Sequence, residues 1–333
     1  MPEFLRLPIA EQRDILNSMS AQMELSPQVL HKDVWVCWVL RELFASDTGV
    51  HMAFKGGTSL SKVFQAIHRF SEDVDVTLDY RDLSPDPKID IFSLRTSKNA
   101  KKRFSEKLKV QVRNHVHGVL YPALSNSFSE VTDGVGRTEL SDDGEKLWFH
   151  YPSVPDAGIG YMGDWILVEF GGRNAIEPNG PHHIAPLIAE WLPELEFPEG
   201  RVMVLSPERT FWEKATLIHV ECNRQRLNDP NRVSRHLYDL VMLSRGEIGK
   251  RALKDRLLLA NVIRHKSVFF DASYAHYDEC LAGRFRLVPE EPLLSDMRRD
   301  YASMQSAGMF YAEVPSFDDL MEELRVLEFS INS

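Results

Sequence analysis

Phe54-Lys55-Gly56-Gly57-Thr58-Ser59 is followed, a short way on, by Arg69-Phe70-Ser71-Glu72-Asp73-Val74-Asp75-Val76. Two glycines open a predicted helix, and two carboxylates in Asp-x-Asp spacing follow on a predicted strand. A glycine pair lets a backbone approach a phosphate closely, and the helix start behind it presents N–H groups to an anion. Val74, Val76 and Leu78 alternate with Asp73, Asp75, Thr77 and Asp79. A strand with that alternation puts both aspartates on one face, with backbones about 6.5–7 Å apart. Carboxylates so placed converge on one Mg²⁺ or on two, which in two-metal sites lie about 3.5–4 Å apart. The combination points to phosphate chemistry.

Around this stretch the chain reads as two parts. Ser26-Pro27 starts a helix with a capping hydroxyl and a first-turn proline. The apolar run 29–44 makes that helix a buried one. Residues 52–54 form a short strand, 58–66 a helix and 74–80 the second strand. Residues 97–118 are helical, with Phe104, Leu108, Val112 and Val116 on one side and lysines on the other. Residues 128–131, 147–151, 165–170 and 202–205 are strand candidates. Ser206-Pro207 repeats the helix-start signal, and 210–224, 235–244, 250–263, 295–307 and 317–327 follow as helices, the last capped by Ser316-Phe317-Asp318-Asp319. The expected fold is therefore α+β and bilobed: a mixed α/β lobe over 1–205 and a helical lobe over 206–333, with a ligand cleft between them.

Composition narrows the function. The chain has 333 residues, 43% of them hydrophobic, enough for a substantial core. The first residues lack a basic segment followed by an apolar one, so no secretory signal is read, and no apolar run reaches the roughly 18 residues of a membrane span. Cys37, Cys222 and Cys280 are far apart and read as buried thiols of a cytoplasmic protein. A net charge of −10 argues against coating nucleic acid by bulk charge. Local patches remain: Lys98, Lys101, Lys102 and Arg103 within the basic stretch 95–113, and a second cluster of Arg224, Arg226, Arg232 and Arg235. Either holds RNA or merely solvates a helix.

Three charged residues sit in apolar company. Glu169 lies in Trp165-Ile166-Leu167-Val168-Glu169-Phe170, where a carboxylate needs a strand end, a hydrogen bond or a cation. It is the natural third metal ligand beside Asp73 and Asp75, unless its strand is an edge in water. Lys214, in Thr210-Phe211-Trp212-Glu213-Lys214, shares a helix face with Thr210, Phe211, Leu217 and Ile218. It either snorkels or points at an anion such as a triphosphate. Asp239, in Tyr238-Asp239-Leu240, wants a partner, and Lys214 or an arginine serves. A P-loop, a G-x-S-x-G elbow and an H-E-x-x-H zinc helix are all absent from the sequence, and His182-His183 has no metal-ligand spacing.

Gly56–Ser59, Asp73 with Asp75, Thr210–Lys214 and Tyr238–Leu240, in that order, resemble the AbiEii/AbiGii toxin family of nucleotidyltransferases, which includes the MenT-like toxins. The resemblance runs from about 50 to 245. It implies transfer of a nucleotide from a nucleoside triphosphate, with Mg²⁺ or Mn²⁺, within a toxin–antitoxin or phage-defence pair. For MenT-like members the acceptor is the tRNA 3′ end. It further implies that Asp73 and Asp75 bind metal, that Gly56, Gly57, Thr58, Ser59 and Ser71 line the nucleotide, that Lys214 holds the triphosphate and that Asp239 completes the site. In some toxins of this group a serine near the metal site can be phosphorylated, and Ser71 is the position to watch. A cognate antitoxin is the expected protein partner. Two rivals stay open: a protein or small-molecule acceptor, which leaves the basic helix idle, and a degenerate, non-catalytic binding protein.

Overall fold

The computed structural model describes residues 2–154, 163–224, 233–307, 309–311 and 314–333. Seven strands form one mixed sheet: β1 (Met52–Lys55), β2 (Val74–Leu78), β3 (Arg137–Leu140), β4 (Lys146–His150), β5 (Trp165–Gly171), β6 (Asn179–Ile184) and β7 (Gly200–Leu205). Their order is β3-β4-β5-β2-β1-β7-β6. β2 is central, antiparallel to β1 and parallel to β5. Val74, Val76 and Leu78 are buried while Asp73 and Asp75 are half-buried. The alternation in the sequence holds at the start of the strand, where Asp73 and Asp75 are open to chemistry, while Thr77 and Asp79 further along are buried.

Among the described residues twelve α-helices accompany the sheet: α1 (Ile9–Met23), α2 (Pro27–Ala45), α3 (Gly56–Lys62), α4 (Lys98–His115), α5 (Tyr121–Val131), α6 (Pro207–Arg224), α7 (Ser234–Arg245), α8 (Glu247–Lys254), α9 (Arg256–Phe269), α10 (Tyr277–Leu281), α11 (Leu293–Ser306) and α12 (Phe317–Asn332). No strand of the sheet lies beyond Leu205 among the described residues. The chain divides into two compact units. The first is Met1–Val63, Ser71–Pro87 and Glu106–Val204; the second is Phe64–Phe70, Lys88–Ser105 and Leu205–Ser333. No helix is long and apolar enough to cross a membrane among the described residues.

Four sequence expectations need correction. Residues 128–131 are not a strand but the end of α5. A π-turn at Val116–Leu120 joins α4 to α5, so the helix runs on past the expected stop. Pro122 lacks the N–H that an α-helix needs there, and a wider turn is one way to pass it. Leu120, Leu124 and Phe128 then repeat every four residues and are buried. The helix expected over 58–66 ends at Lys62. The helix expected over 250–263 is two, broken at Asp255, whose side chain accepts from the Leu258 N–H at 2.9 Å and so caps α9. Strands β3 and β6 and the helices α1 and α10 were not anticipated.

The capping serine of α2 is as expected, accepting from the Val29 N–H at 3.2 Å. This helix carries the first unit's aromatic core: Trp35 stacks on Tyr151 at 5.4 Å, and Trp38 packs on Phe128 at 5.4 Å. His31 is buried among these rings and accepts from Trp35 Nε1 at 3.0 Å. Burial lowers its pKa to about 3. A histidine that takes up a proton only on unfolding contributes full stability above pH 6.5 and progressively less as pH falls towards about 3. We expect His31→Gln, which keeps an acceptor for Trp35, to flatten the acid side of the stability profile by roughly 1.4 kcal/mol per pH unit. Urea midpoints measured from pH 7 to pH 4 check this, and an unchanged slope would show that His31 already binds its proton in the folded protein.

All three cysteines are free and buried, and burial pushes each thiol up to about 12.

Candidate active site

At the end of β1 the chain turns into α3 through Gly56, whose φ of +81° lies in the left-handed region. A Cβ placed there would fall 2.0 Å from Oδ2 of Asp75. The glycine therefore serves two purposes: it makes the turn, and it leaves room for the Asp75 carboxylate directly above the backbone. Thr58 Oγ1 donates to the carbonyl of Asp73 at 2.5 Å and lies 3.0 Å from Ser71 Oγ. Ser59 Oγ donates to the Gly56 carbonyl at 2.9 Å. Both Thr58 and Ser59 are buried, so their hydroxyls fasten the glycine turn to the aspartate strand. On the far side, buried Lys32 of α2 binds Glu72 at 2.5 Å and the Gly163 carbonyl at 2.9 Å. The segment Ser71–Asp73 is thus held from both ends before any ligand arrives.

We expect Gly56→Ala to reduce transfer by about 100-fold, because a catalytic group displaced by an ångström loses roughly that factor. The left-handed backbone would add roughly 1–2 kcal/mol of strain. Paired measurement of kcat and of thermal melting separates the two effects; wild-type kcat in a destabilised variant would mean that the position of Asp75 does not matter.

Glu169 lies beside Asp75 in the β2–β5 ladder, and the same row continues to Lys55 on β1 and Lys146 on β4. Its strand is internal, yet Glu169 itself is 39% exposed and pairs with Lys146 at 3.3 Å. Among the described residues no three His, Cys, Asp or Glu side chains form a group able to hold a metal.

Lys214 and Asp239 meet in the second unit, on α6 and α7. Lys214 Nζ is 2.8 Å from Asp239 Oδ2. Arg69 grips the same carboxylate with both arms, Nε to Oδ1 at 2.7 Å and Nη2 to Oδ2 at 2.8 Å. Asp239 is fully buried and Arg69 is 2% exposed. Burial alone would raise the Asp239 carboxyl, but the charges of Arg69 and Lys214 outweigh it and hold the group well below the usual carboxylate range. Burial lowers the Lys214 ammonium, against the pull of Asp239. His236 stands 3.3 Å from the lysine, and burial, then the charges of Lys214 and Arg235, push it well down, so it is neutral and accepts at Nδ1. The sequence foresaw a partner for Asp239 but not that Arg69 would share it.

The start of α4 is amphipathic as expected: Phe104 and Leu108 are buried, Lys98, Lys102 and Arg103 exposed, and Lys101 half-buried. Lys98 pairs with Asp271 at 3.3 Å, while Lys101, Lys102 and Arg103 form no ion pair among the described residues. Of the second arginine cluster, Arg226 and Arg232 lie outside the described residues.

The family model described as the nucleotidyl transferase AbiEii toxin of type IV toxin–antitoxin systems matches residues 38–323. The chain belongs to the AbiEii family. This AbiEii chain is thus a nucleotidyltransferase toxin of a type IV toxin–antitoxin system, with a nucleoside triphosphate as substrate and an antitoxin as partner. A search of curated proteins finds no match. Among solved structures, it is similar to MenT4, a nucleotidyltransferase toxin from Mycobacterium tuberculosis H37Rv, at 16% identity and a TM-score of 0.46, over 95% of this chain and 98% of that one.

A divalent cation suits the donor set of this AbiEii chain. Mg²⁺ is commonly held by one or two carboxylates together with substrate phosphates, without an all-protein cage. Two half-buried aspartates on one face, one of them seated over a glycine that a Cβ would obstruct, fit that pattern.

Proposed function

We propose that this toxin transfers a nucleotide from a nucleoside triphosphate to RNA, at the tRNA 3′ end, in a Mg²⁺- or Mn²⁺-dependent reaction that serves phage defence or growth arrest. The observation that carries the reading is the seating of Asp75 over Gly56, with Asp73 half-buried just before β2. Asp73 and Asp75 would hold a divalent cation, which would supply Lewis acidity to the reacting phosphate and help activate the acceptor hydroxyl. The turn through Gly56 and Gly57 brings backbone close to the phosphates, and Ser71 lies beside them. Lys214 neutralises charge on the triphosphate as pyrophosphate leaves. Asp239, with both oxygens already bonded, acts by keeping Lys214 charged and in place. Glu169 would join Asp73 and Asp75 as a third metal ligand on leaving Lys146. We assign catalysis to a lobe spanning 1–205 and the triphosphate lysine to a helical lobe spanning 206–333. The basic face of α4, on which Lys101, Lys102 and Arg103 form no ion pair among the described residues while Lys98 pairs with Asp271, supports an RNA acceptor over a small molecule.

The test is transfer of α-³²P label from each of the four nucleoside triphosphates to bulk tRNA with Mg²⁺. Label on tRNA supports the whole reading and names the nucleotide. Triphosphate binding without labelled RNA moves the acceptor to a protein or a small molecule. No triphosphate binding at all favours a protein that only binds RNA or a partner.

A further inference from the structure

Lys55 has no part in the reading above, and three observations converge on it. It is the last residue of β1 and the register partner of Asp75, so the two side chains leave the same face of the sheet from neighbouring strands. It directly precedes Gly56, the residue over which the Asp75 carboxylate sits. The residue is half-buried, and its amine makes no ion pair or hydrogen bond among the described residues. The contrast with other shielded lysines is sharp. Lys32, Lys62 and Lys214, with side chains at most 8% exposed, are each bound to a carboxylate at 2.5–2.8 Å.

Across four strands the row reads Lys55, Asp75, Glu169, Lys146, that is plus, minus, minus, plus. The outer pair on one side is closed, Glu169 to Lys146 at 3.3 Å. The pair on the other side is open: neither Lys55 nor Asp75 has an ion-pair partner among the described residues. In a chain of net charge −10, an ammonium opposite Asp75 with no anion paired to it is a position that a bound anion can fill. A triphosphate set against two aspartates gathers more negative charge than one divalent cation cancels, and a fixed ammonium beside it offsets the remainder.

We propose that Lys55 is a substrate-contacting residue that binds a phosphate oxyanion of the nucleoside triphosphate beside Asp75, an inference that rests on the metal and nucleotide site assigned above. The lysine acts by charge and hydrogen bonding.

The experiment measures binding of α,β-methylene nucleoside triphosphates with Mg²⁺, by calorimetry, to wild type, Lys55→Met, Lys55→Arg and Asp73→Asn. Lys55→Met should weaken binding by about 10- to 100-fold, as loss of one charge-assisted hydrogen bond does, and Lys55→Arg by only about threefold. In parallel, reductive methylation of wild type read by peptide mass spectrometry should show Lys55 protected by the triphosphate and Lys146 not. Protection needs no variant, so it decides the matter even if Lys55→Met does not fold. Wild-type affinity in Lys55→Met, no protection, or protection by tRNA alone would each overturn the proposal. If Asp73→Asn loses the triphosphate while Lys55→Met keeps it, only the lysine assignment fails. If wild type binds none of the triphosphates, the nucleotide site fails with it.

Discussion

Asp73→Ala should abolish nucleotide transfer, with a loss of at least 10²- to 10³-fold of the kind that follows removal of one fixed electrostatic partner at a reacting phosphate, roughly 3–4 kcal/mol. The fold should scarcely notice. Asp73 is half-buried at the entry to β2, and its tie to Thr58 runs through the backbone carbonyl, which alanine keeps. Removing it also relieves the repulsion between two carboxylates on one face. The variant should therefore melt within a few degrees of wild type, while ³²P transfer to tRNA falls to background. A purified Asp73→Ala protein with full activity would place the chemistry elsewhere. Asp75→Ala should match it in activity.

Asp239→Ala should instead be felt first as lost stability. The carboxylate serves two buried cations through three short contacts. Taking away one partner of a buried charge network leaves the others uncompensated and costs about 3–5 kcal/mol. Asp239→Asn should fall between, since it keeps an acceptor for Arg69 but no charge. The urea midpoint reads this directly, and an Asp239→Ala protein as stable as wild type would mean that Arg69 and Lys214 find other partners. Activity carries a second signature. Asp239 is the group that raises the Lys214 ammonium, against burial and Arg69. Without it, Lys214 gives up its proton at lower pH, and the alkaline limb of the pH–rate profile should move down. A limb that stays in place would separate Lys214 from the reaction.

The site was legible where its chemistry depends on local spacing. The glycine pair and the alternation of Val74, Val76 and Leu78 with aspartates are short-range patterns, and both took the expected form in β1–α3 and β2. Lys214 and Asp239 showed themselves as charges out of place among apolar neighbours. Arg69 did not, because an arginine between His68 and Phe70 has nothing unusual about it until residue 239 is brought against it. Lys55 was hidden in the same way: its meaning lies in the cross-strand register with Asp75, which one sequence does not display. The misread elements share a cause as well. β3 (Arg-Thr-Glu-Leu) and β6 (Asn-Gly-Pro-His-His-Ile) lie at the sheet's two edges and bury too little for an apolar rhythm. The run at 128–131 looked like a strand because four residues of it cannot reveal a period of 3.6.

Residues 64–70 join α3 to β2, yet they belong to the second compact unit. Their backbone bonds to a segment made much later: the Phe70 N–H donates to the Met309 carbonyl at 2.6 Å, and the Tyr311 N–H to the His68 carbonyl at 3.0 Å. The guanidinium of Arg69 waits for Asp239. Order of synthesis therefore matters to this toxin. A ribosome that stalls or falls off after residue 205 releases a polypeptide that holds Asp73, Asp75 and the glycine turn, but whose connection between them has lost every long-range bond named here. Such a fragment lacks the partners that fix residues 68–70, so the link between the glycine turn and the aspartates is fully tied down only in chains that have been read nearly to their end.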